Sequence, residues 1–173
     1  MADYHTPTVI QQTIPDADMT PLERLLLSHI FESERDGEGW YFFAESQPAD
    51  MITVECAALE TALAASELDV DNTVNNFVRK LLADLKDEKL QNGYLDIDLS
   101  ITSWEFIFQQ IVRRSSTLRY VSAVSSFTCS RMRPDGFGGA VVVISADAIL
   151  GIHQRSSRGV HRAGRAVERW LNQ

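Results

Sequence analysis

Residues 20–31 read TPLERLLLSHIF and decide the fold. Thr20 and Glu23 have the spacing of a capping box, and Pro21 takes the first helical position, where its missing N–H costs nothing. The leucines and Ile30 that follow lie on more than one side of a helix. The stretch therefore predicts a helix from Pro21 to about Glu32 that is central to the core.

β-prone segments lie on both sides of this helix. A first strand is predicted at residues 8–13, closed by the turn-forming residues 15–18. Beyond a break at residues 36–39, residues 40–44 and 51–55 are both β-prone, and we expect them to pair with each other as a hairpin.

Three further segments continue the mixture of helix and strand. Helices are predicted at residues 57–66 and 74–85, the second from apolar residues at helical spacing and with Asp71 as its cap. Residues 94–99 alternate apolar and acidic residues, which predicts a half-exposed strand with its aspartates in water.

The last predicted elements are a helix opened by Ser103 and strands at residues 118–129 and 140–145. Helices and strands thus alternate irregularly, without a sustained parallel repeat. The fold class predicted from this order is α+β, with helices packed on a largely antiparallel sheet.

Charge divides the chain into two segments. The 173 residues, 45% of them hydrophobic, match a single globular domain. Residues 152–173 contain five arginines and one acid, whereas residues 1–151 hold 11 basic and 23 acidic residues, a net charge of −12. We therefore divide the chain into an acidic α+β domain at 1–151 and a basic amphipathic helix at 152–173.

The arginines of the C-terminal segment follow a helical spacing. Arg158, Arg162, Arg165 and Arg169 fall within about 60° on a helical wheel, and Trp170 lies on the opposite, apolar side. Three interpretations remain open: a helix docked on the core, a helix that binds a protein partner, and a contact with nucleic acid or anionic lipid. Nucleic acid is not favoured, because the acidic body would repel phosphate. An uncovered Trp170 face would also permit a homo-oligomer by helix pairing.

A glycine-containing loop at residues 131–139 is the second candidate site. Its candidate anion- or ligand-binding residues are Arg131, Arg133, Gly136, Gly138 and Gly139. Two guanidinium groups near accessible backbone N–H groups could bind an anion. The loop matches neither the P-loop nor the dinucleotide-binding fingerprint, and a connection between two strands is the favoured explanation for it.

The other chemistry-bearing residues point to no cofactor, metal or catalytic site. Cys56 and Cys129 are far apart and form no metal-binding pair, and His29 lies among leucines, where a core or boundary position is expected. No signal peptide and no membrane span are predicted, so we expect a cytoplasmic protein.

Several stretches resemble small uncharacterised proteins of alphaproteobacterial genomes and their mobile elements. The resemblance rests on residues 8–31, 36–45, 103–108 and 132–139 and excludes the segment after Gly151. No activity is assigned to such proteins, so the resemblance implies no site residues.

The leading hypothesis is a non-enzymatic protein-interaction or regulatory protein. One version is an inhibitor of a nucleic-acid enzyme whose acidic surface imitates DNA. The alternatives are an anion- or small-molecule-binding protein or enzyme that uses the loop at 131–139, and a nucleic-acid-binding protein that uses the C-terminal arginines.

Overall fold

Helices cover one face of an antiparallel sheet. The computed structural model describes residues 4–66, 72–85, 93–99, 103–130, 136–155 and 160–161. The strands are β1 (Tyr4–His5), β2 (Thr8–Ile10), β3 (Ile14–Pro15), β4 (Glu32–Asp36), β5 (Gly39–Ala44), β6 (Met51–Glu55), β7 (Tyr94–Asp98), β8 (Tyr120–Cys129), β9 (Phe137–Ser145), β10 (Ile149–Arg155) and β11 (Val160–His161). The helices are α1 (Pro21–Ile30), α2 (Cys56–Ala65), α3 (Thr73–Leu85) and α4 (Trp104–Arg114). The predicted α+β class is confirmed.

The strands of the described residues form two sheets. The large sheet has nine strands in the order β11-β10-β9-β8-β2-β5-β3, with β1 also pairing with β8 and β4 with β5. Strands β6 and β7 form a separate two-stranded sheet. Every pairing is antiparallel.

The core lies between the large sheet and the helices. Strand residues such as Phe42 and Ile144 and helical residues such as Leu26 and Phe108 are fully buried there. Phe31, at the end of α1, contacts the rings of Phe42, Trp104 and Phe108 edge to face, with centroids 5.4–6.3 Å apart. Such pairs add to the stabilisation from apolar burial.

Helix α1 begins with the predicted capping box, and its glutamate is completely buried. The backbone N–H of Glu23 donates to Thr20 Oγ1 at 3.2 Å, and the N–H of Thr20 donates to Glu23 Oε2 at 2.9 Å. Arg114 Nη2, at the end of α4, donates to the same Oε2 at 2.5 Å, and Asn72 Nδ2, just before α3, donates to Oε1 at 2.9 Å. The Glu23 side chain is 0% exposed. One carboxylate therefore joins three helices.

Replacing Arg114 with alanine should leave the Glu23 carboxylate without its ionic partner in the core. We expect the free energy of unfolding to fall by about 2–3 kcal/mol, slightly less than the roughly 3–5 kcal/mol of a fully buried pair, because Arg114 is 25% exposed. Urea denaturation measures the change. Arg119→Ala, at an exposed arginine, is the control and should change stability by less than about 0.5 kcal/mol. Equal stabilities of the two variants would contradict this account.

The predicted hairpin between residues 40–44 and 51–55 is wrong. Strand β5 pairs with β4 across a two-residue turn at residues 37–38, where Gly37 has a φ of 58°, and β6 pairs instead with β7. Strand β4 occupies Glu32–Asp36, where the sequence carries no alternation of apolar residues. Pairing with β5 creates this strand, because a tight turn allows even a polar segment to complete a ladder.

The chain does not change its secondary structure at the boundary predicted after Gly151. Strand β10 runs from Ile149 to Arg155 and pairs with β9 along its whole length. Val160 and His161 form the short strand β11 beside it, so these described residues are extended and not helical. The rest of the predicted arginine helix lies outside the described residues. The predicted cap of the third helix, Asp71, also lies outside them. At the start of α3, Asn72 Oδ1 accepts the backbone N–H of Val74 at 2.8 Å.

Candidate interaction surface

The large sheet has a second face that no described helix covers. Residues that stand directly opposite each other in antiparallel strands project to the same side of the sheet. The register therefore groups eight apolar residues of five strands on the side away from the core: Val9, Tyr41, Phe43, Val124, Val141, Val143, Leu150 and Ile152. None of them belongs to the core cluster. We call these eight residues the outer face.

One row of residues crosses the outer face from edge to edge. Phe43, Val9, Val124, Val141 and Ile152 are successive cross-strand partners on β5, β2, β8, β9 and β10. Glu32 on β4 stands next to Phe43 at one end of the row. Five strands spaced about 4.8 Å apart make the apolar row about 19 Å long.

Exposure is greatest in the middle of this row. Val124 is 39% and Val141 is 37% exposed, and Tyr41 stacks on Phe43 with ring centroids 5.5 Å apart. Apolar residues scattered singly on a surface need no explanation, but a contiguous patch marks an interaction surface. The glutamates Glu32 and Glu34 of β4 lie beside it and give the patch an acidic border.

An open groove of about 800 Å³ lies between α1 and α2. It is lined by Pro21, Arg24, Leu25, Ser28, Trp40, Glu55, Ala57, Ala58, Thr61, Ala62 and Ala65. Its two hydroxyl groups are engaged with their own helices, since Ser28 Oγ donates to Arg24 O at 2.8 Å and Thr61 Oγ1 to Ala57 O at 2.7 Å. Neither hydroxyl is hydrogen-bonded to a base that would activate it as a nucleophile.

A charged cluster borders the groove beside Trp40. Asp16 Oδ1 accepts from Trp40 Nε1 at 2.8 Å and from Arg24 Nη1 at 3.2 Å, and Arg35 Nη1 lies 3.6 Å from Oδ2. The Arg35 guanidinium also lies 5.2 Å from the centroid of the Trp40 ring. The hydrogen bond from Trp40 is the largest cause that holds the pKa of Asp16 below its usual value. The hydrogen bond and charge of Arg24 and the charge of Arg35 contribute less to this lowering.

Replacing Trp40 with phenylalanine should raise the pKa of Asp16 toward its usual value, because the ionised carboxylate loses its indole donor. A carboxyl group with a lowered pKa stabilises the fold above its unfolded pKa, and this stabilisation is lost as the pH falls through the folded pKa. NMR titration of the Asp16 carboxyl carbon measures the shift. Tyr41→Phe, one residue along β5, is the control and should leave the titration unchanged. An unchanged Asp16 pKa in Trp40→Phe would contradict the assigned cause.

The structure places only part of the predicted anion loop. Thr128 pairs with Phe137, so β8 and β9 form an antiparallel hairpin across the loop. Gly138 and Gly139 belong to β9, where they pair with Phe127 and Ser126, and Gly136 is buried just before the strand. Arg131 and Arg133 lie outside the described residues. Gly138 and Gly139 therefore belong to strand pairing, and the predicted anion site stays a prediction.

The predicted partner-binding residues are not among those described. Arg158, Arg162, Arg165, Arg169 and Trp170 all lie outside the described ranges. Their role in binding a partner therefore also stays a prediction.

Other chemistry-bearing residues are separated in the fold. Cys56 and Cys129 are buried free thiols on different elements. His29 is exposed and not at the core or its boundary as expected, and its Nδ1 lies 2.9 Å from the carbonyl oxygen of Leu25. Within the described part of the chain, no group of three His, Cys, Asp or Glu side chains is arranged to hold a metal ion.

Comparison with protein-family models, with curated proteins and with solved structures finds no match to this chain. Of the helices described, none combines the length and the apolar character needed to cross a membrane.

Sequence analysis does not single out the outer face. The aromatic run at residues 41–43 and the valines at 124 and 141 are a weak signal, because buried strands show similar residues. Which side of the sheet the helices cover depends on the order of the strands and on the connections between them, and local sequence patterns do not specify either.

Proposed function

We propose that this protein is a non-enzymatic protein-interaction or regulatory protein that binds a partner protein through the outer face. The observation that carries the proposal is the row of apolar side chains from Phe43 to Ile152, which no described element covers. Removing apolar surface from water is the main driving force of association, at about 25 cal/mol per Å².

The shape and borders of the outer face support this proposal. A row about 19 Å long fits within a standard interface, which buries roughly 800 Å² on each partner. The acidic border at Glu32 and Glu34 favours a partner with basic residues around an apolar centre. Charge at the border contributes to specificity and to the rate of association, whereas the apolar centre contributes most of the affinity.

The chemistry of the groove between α1 and α2 supports the non-enzymatic part of the proposal. Its serine and threonine donate to backbone carbonyls, and the nearby His29 ring contacts the carbonyl of Leu25. These groups stabilise their own helices, and this arrangement differs from the nucleophile–base pairs of hydrolytic sites.

The double variant Val124→Asp/Val141→Asp tests the proposal, because it places two carboxylates at the centre of the row. A partner is first captured from lysate of the source organism on the tagged chain after nuclease treatment, and it is then purified so that its Kd can be measured by calorimetry. We expect the double variant to weaken binding at least about tenfold, as for interface hot spots.

Two control variants separate the outer face from general damage. Val124→Thr/Val141→Thr retains shape and β propensity and should bind more tightly than the aspartate variant. Phe106→Asp adds a charge at an exposed aromatic residue of α4 and should bind like the wild type. Unchanged affinity of the aspartate variant, with its fold verified by circular dichroism, would refute the role of the outer face.

A further inference from the structure

The chain leaves the described strands at one end of the apolar row. Strand β11 is the last in the order of the large sheet and pairs with β10. In this pairing His161 stands opposite His153, the residue that follows Ile152. Ile152 ends the row on the side away from Phe43. The segment that continues from His161 therefore begins beside the outer face.

Residues 162–173 read RAGRAVERWLNQ, and their spacing predicts an amphipathic helix. Val167 and Trp170 lie on the apolar side of this predicted helix. The arginines lie on the other side: Arg162, Arg165 and Arg169. Gly164 disfavours the helix in isolation, so its apolar side must pack against an apolar surface for the helix to be stable.

The most exposed part of the outer face lies at the distance that this helix spans. At about 1.5 Å per residue, Val167 and Trp170 come about 9 Å and about 14 Å beyond His161. Strands β9 and β8 lie two and three strands away from β11, which is about 10 Å and about 14 Å. The members of the row on these strands, Val141 and Val124, are 37% and 39% exposed. The two apolar anchors of the helix therefore reach the two valines.

The apolar surface of the outer face extends across the strands more than along them. Along β8, Val124 lies between Ser122 and Ser126 on this face. Across the strands, its neighbours are Val9 and Val141. A helix that follows the row therefore buries more apolar surface than a helix that follows a single strand.

Charge favours the same placement. Residues 152–173 contain five arginines and one acid, a net charge of +4, whereas residues 1–151 carry −12. Glu32 and Glu34 border the outer face at the end opposite to Ile152, so the arginines of the segment approach carboxylates when the segment lies on the row. This attraction weakens with salt, because the glutamates are exposed.

We propose that residues 162–173 pack as a helix on the outer face of the same chain, with Val167 on Val141 and Trp170 on Val124, and that a partner protein binds by displacing them. The regulatory part of this inference rests on the function proposed for the outer face. Because the covered form does not bind the partner, the apparent Kd equals the intrinsic Kd divided by the uncovered fraction. The segment thus lowers the affinity of the outer face and excludes partners whose contacts are weaker than its own.

The indole of Trp170 gives a direct readout of this contact in the whole protein without a partner. The ring current of an indole shifts the signals of methyl groups beneath it upfield, so we expect upfield methyl signals for Val124 in the wild type. Trp170→Asp should return these signals to ordinary positions, because the ring is removed and a carboxylate does not pack on an apolar surface. Methyl NMR measures the shift.

Asn172→Asp is the matched control, because it also adds one carboxylate but on the arginine side of the helix. Its Val124 signals should match those of the wild type. The inference is overturned if the Val124 signals are the same in Trp170→Asp and the wild type, with both folds verified by circular dichroism. It is also overturned if the wild-type signals change on dilution, since the segment would then dock on a second copy.

Partner affinity tests the regulatory part. With the purified partner, we expect Trp170→Asp to bind roughly tenfold more tightly than Asn172→Asp, which corresponds to a covered form in about nine-tenths of the molecules. Equal affinities of these two variants would overturn the regulatory part.

The contact and the proposed function fail separately. Unshifted Val124 signals in Trp170→Asp overturn the contact, and loss of partner binding in Val124→Asp/Val141→Asp still supports the outer face as the partner site. If instead Val124→Asp/Val141→Asp binds the partner like the wild type, the proposed function and the regulatory part fail together. Shifted signals in Trp170→Asp then still establish the contact.

Discussion

The fold depends on a single buried carboxylate, that of Glu23. A charged group in a core is costly unless it is paired and hydrogen-bonded, and Glu23 obtains an ionic partner and hydrogen-bond donors from Thr20, Asn72 and Arg114. Each donor belongs to a different part of the chain. The start of α1, the start of α3 and the end of α4 are therefore held in one arrangement, because any other arrangement leaves a buried charge unpaired.

This arrangement of helices determines which face of the large sheet is buried. With α1 and α4 held together, Phe31, Trp104 and Phe108 form one aromatic cluster against Phe42 of β5. The cluster covers the inner side of the sheet, and the side chains of alternate residues, such as Phe43 and Val124, are left on the other side. The candidate interaction surface is thus a consequence of helix packing on the opposite face, since a strand residue cannot contribute to both faces.

Helix starts and amphipathic segments could be predicted because their signals are local. The capping box at Thr20 and Glu23, the apolar stripe of α3 and the alternation of residues 94–99 each lie within a few residues of one another. Strand partners could not be predicted, since β6 and β7 are about 40 residues apart in sequence and their pairing depends on the helices between them. The candidate sites at 131–139 and 158–170 rest on local charge, whereas the outer face arises from strand pairing.

The α+β class, the central place of α1 and the wet side of β7 followed from residue order alone, because propensity, capping and apolar periodicity act over one or two turns of chain. Three features were decided only by the folded arrangement: the pairing of β5 with β4, the extension of β10 through Gly151, and the donors that satisfy Glu23. Each of these joins residues through hydrogen bonds whose partners are selected by packing. The outer face depends on the same long-range choices, so it becomes visible only in the assembled sheet.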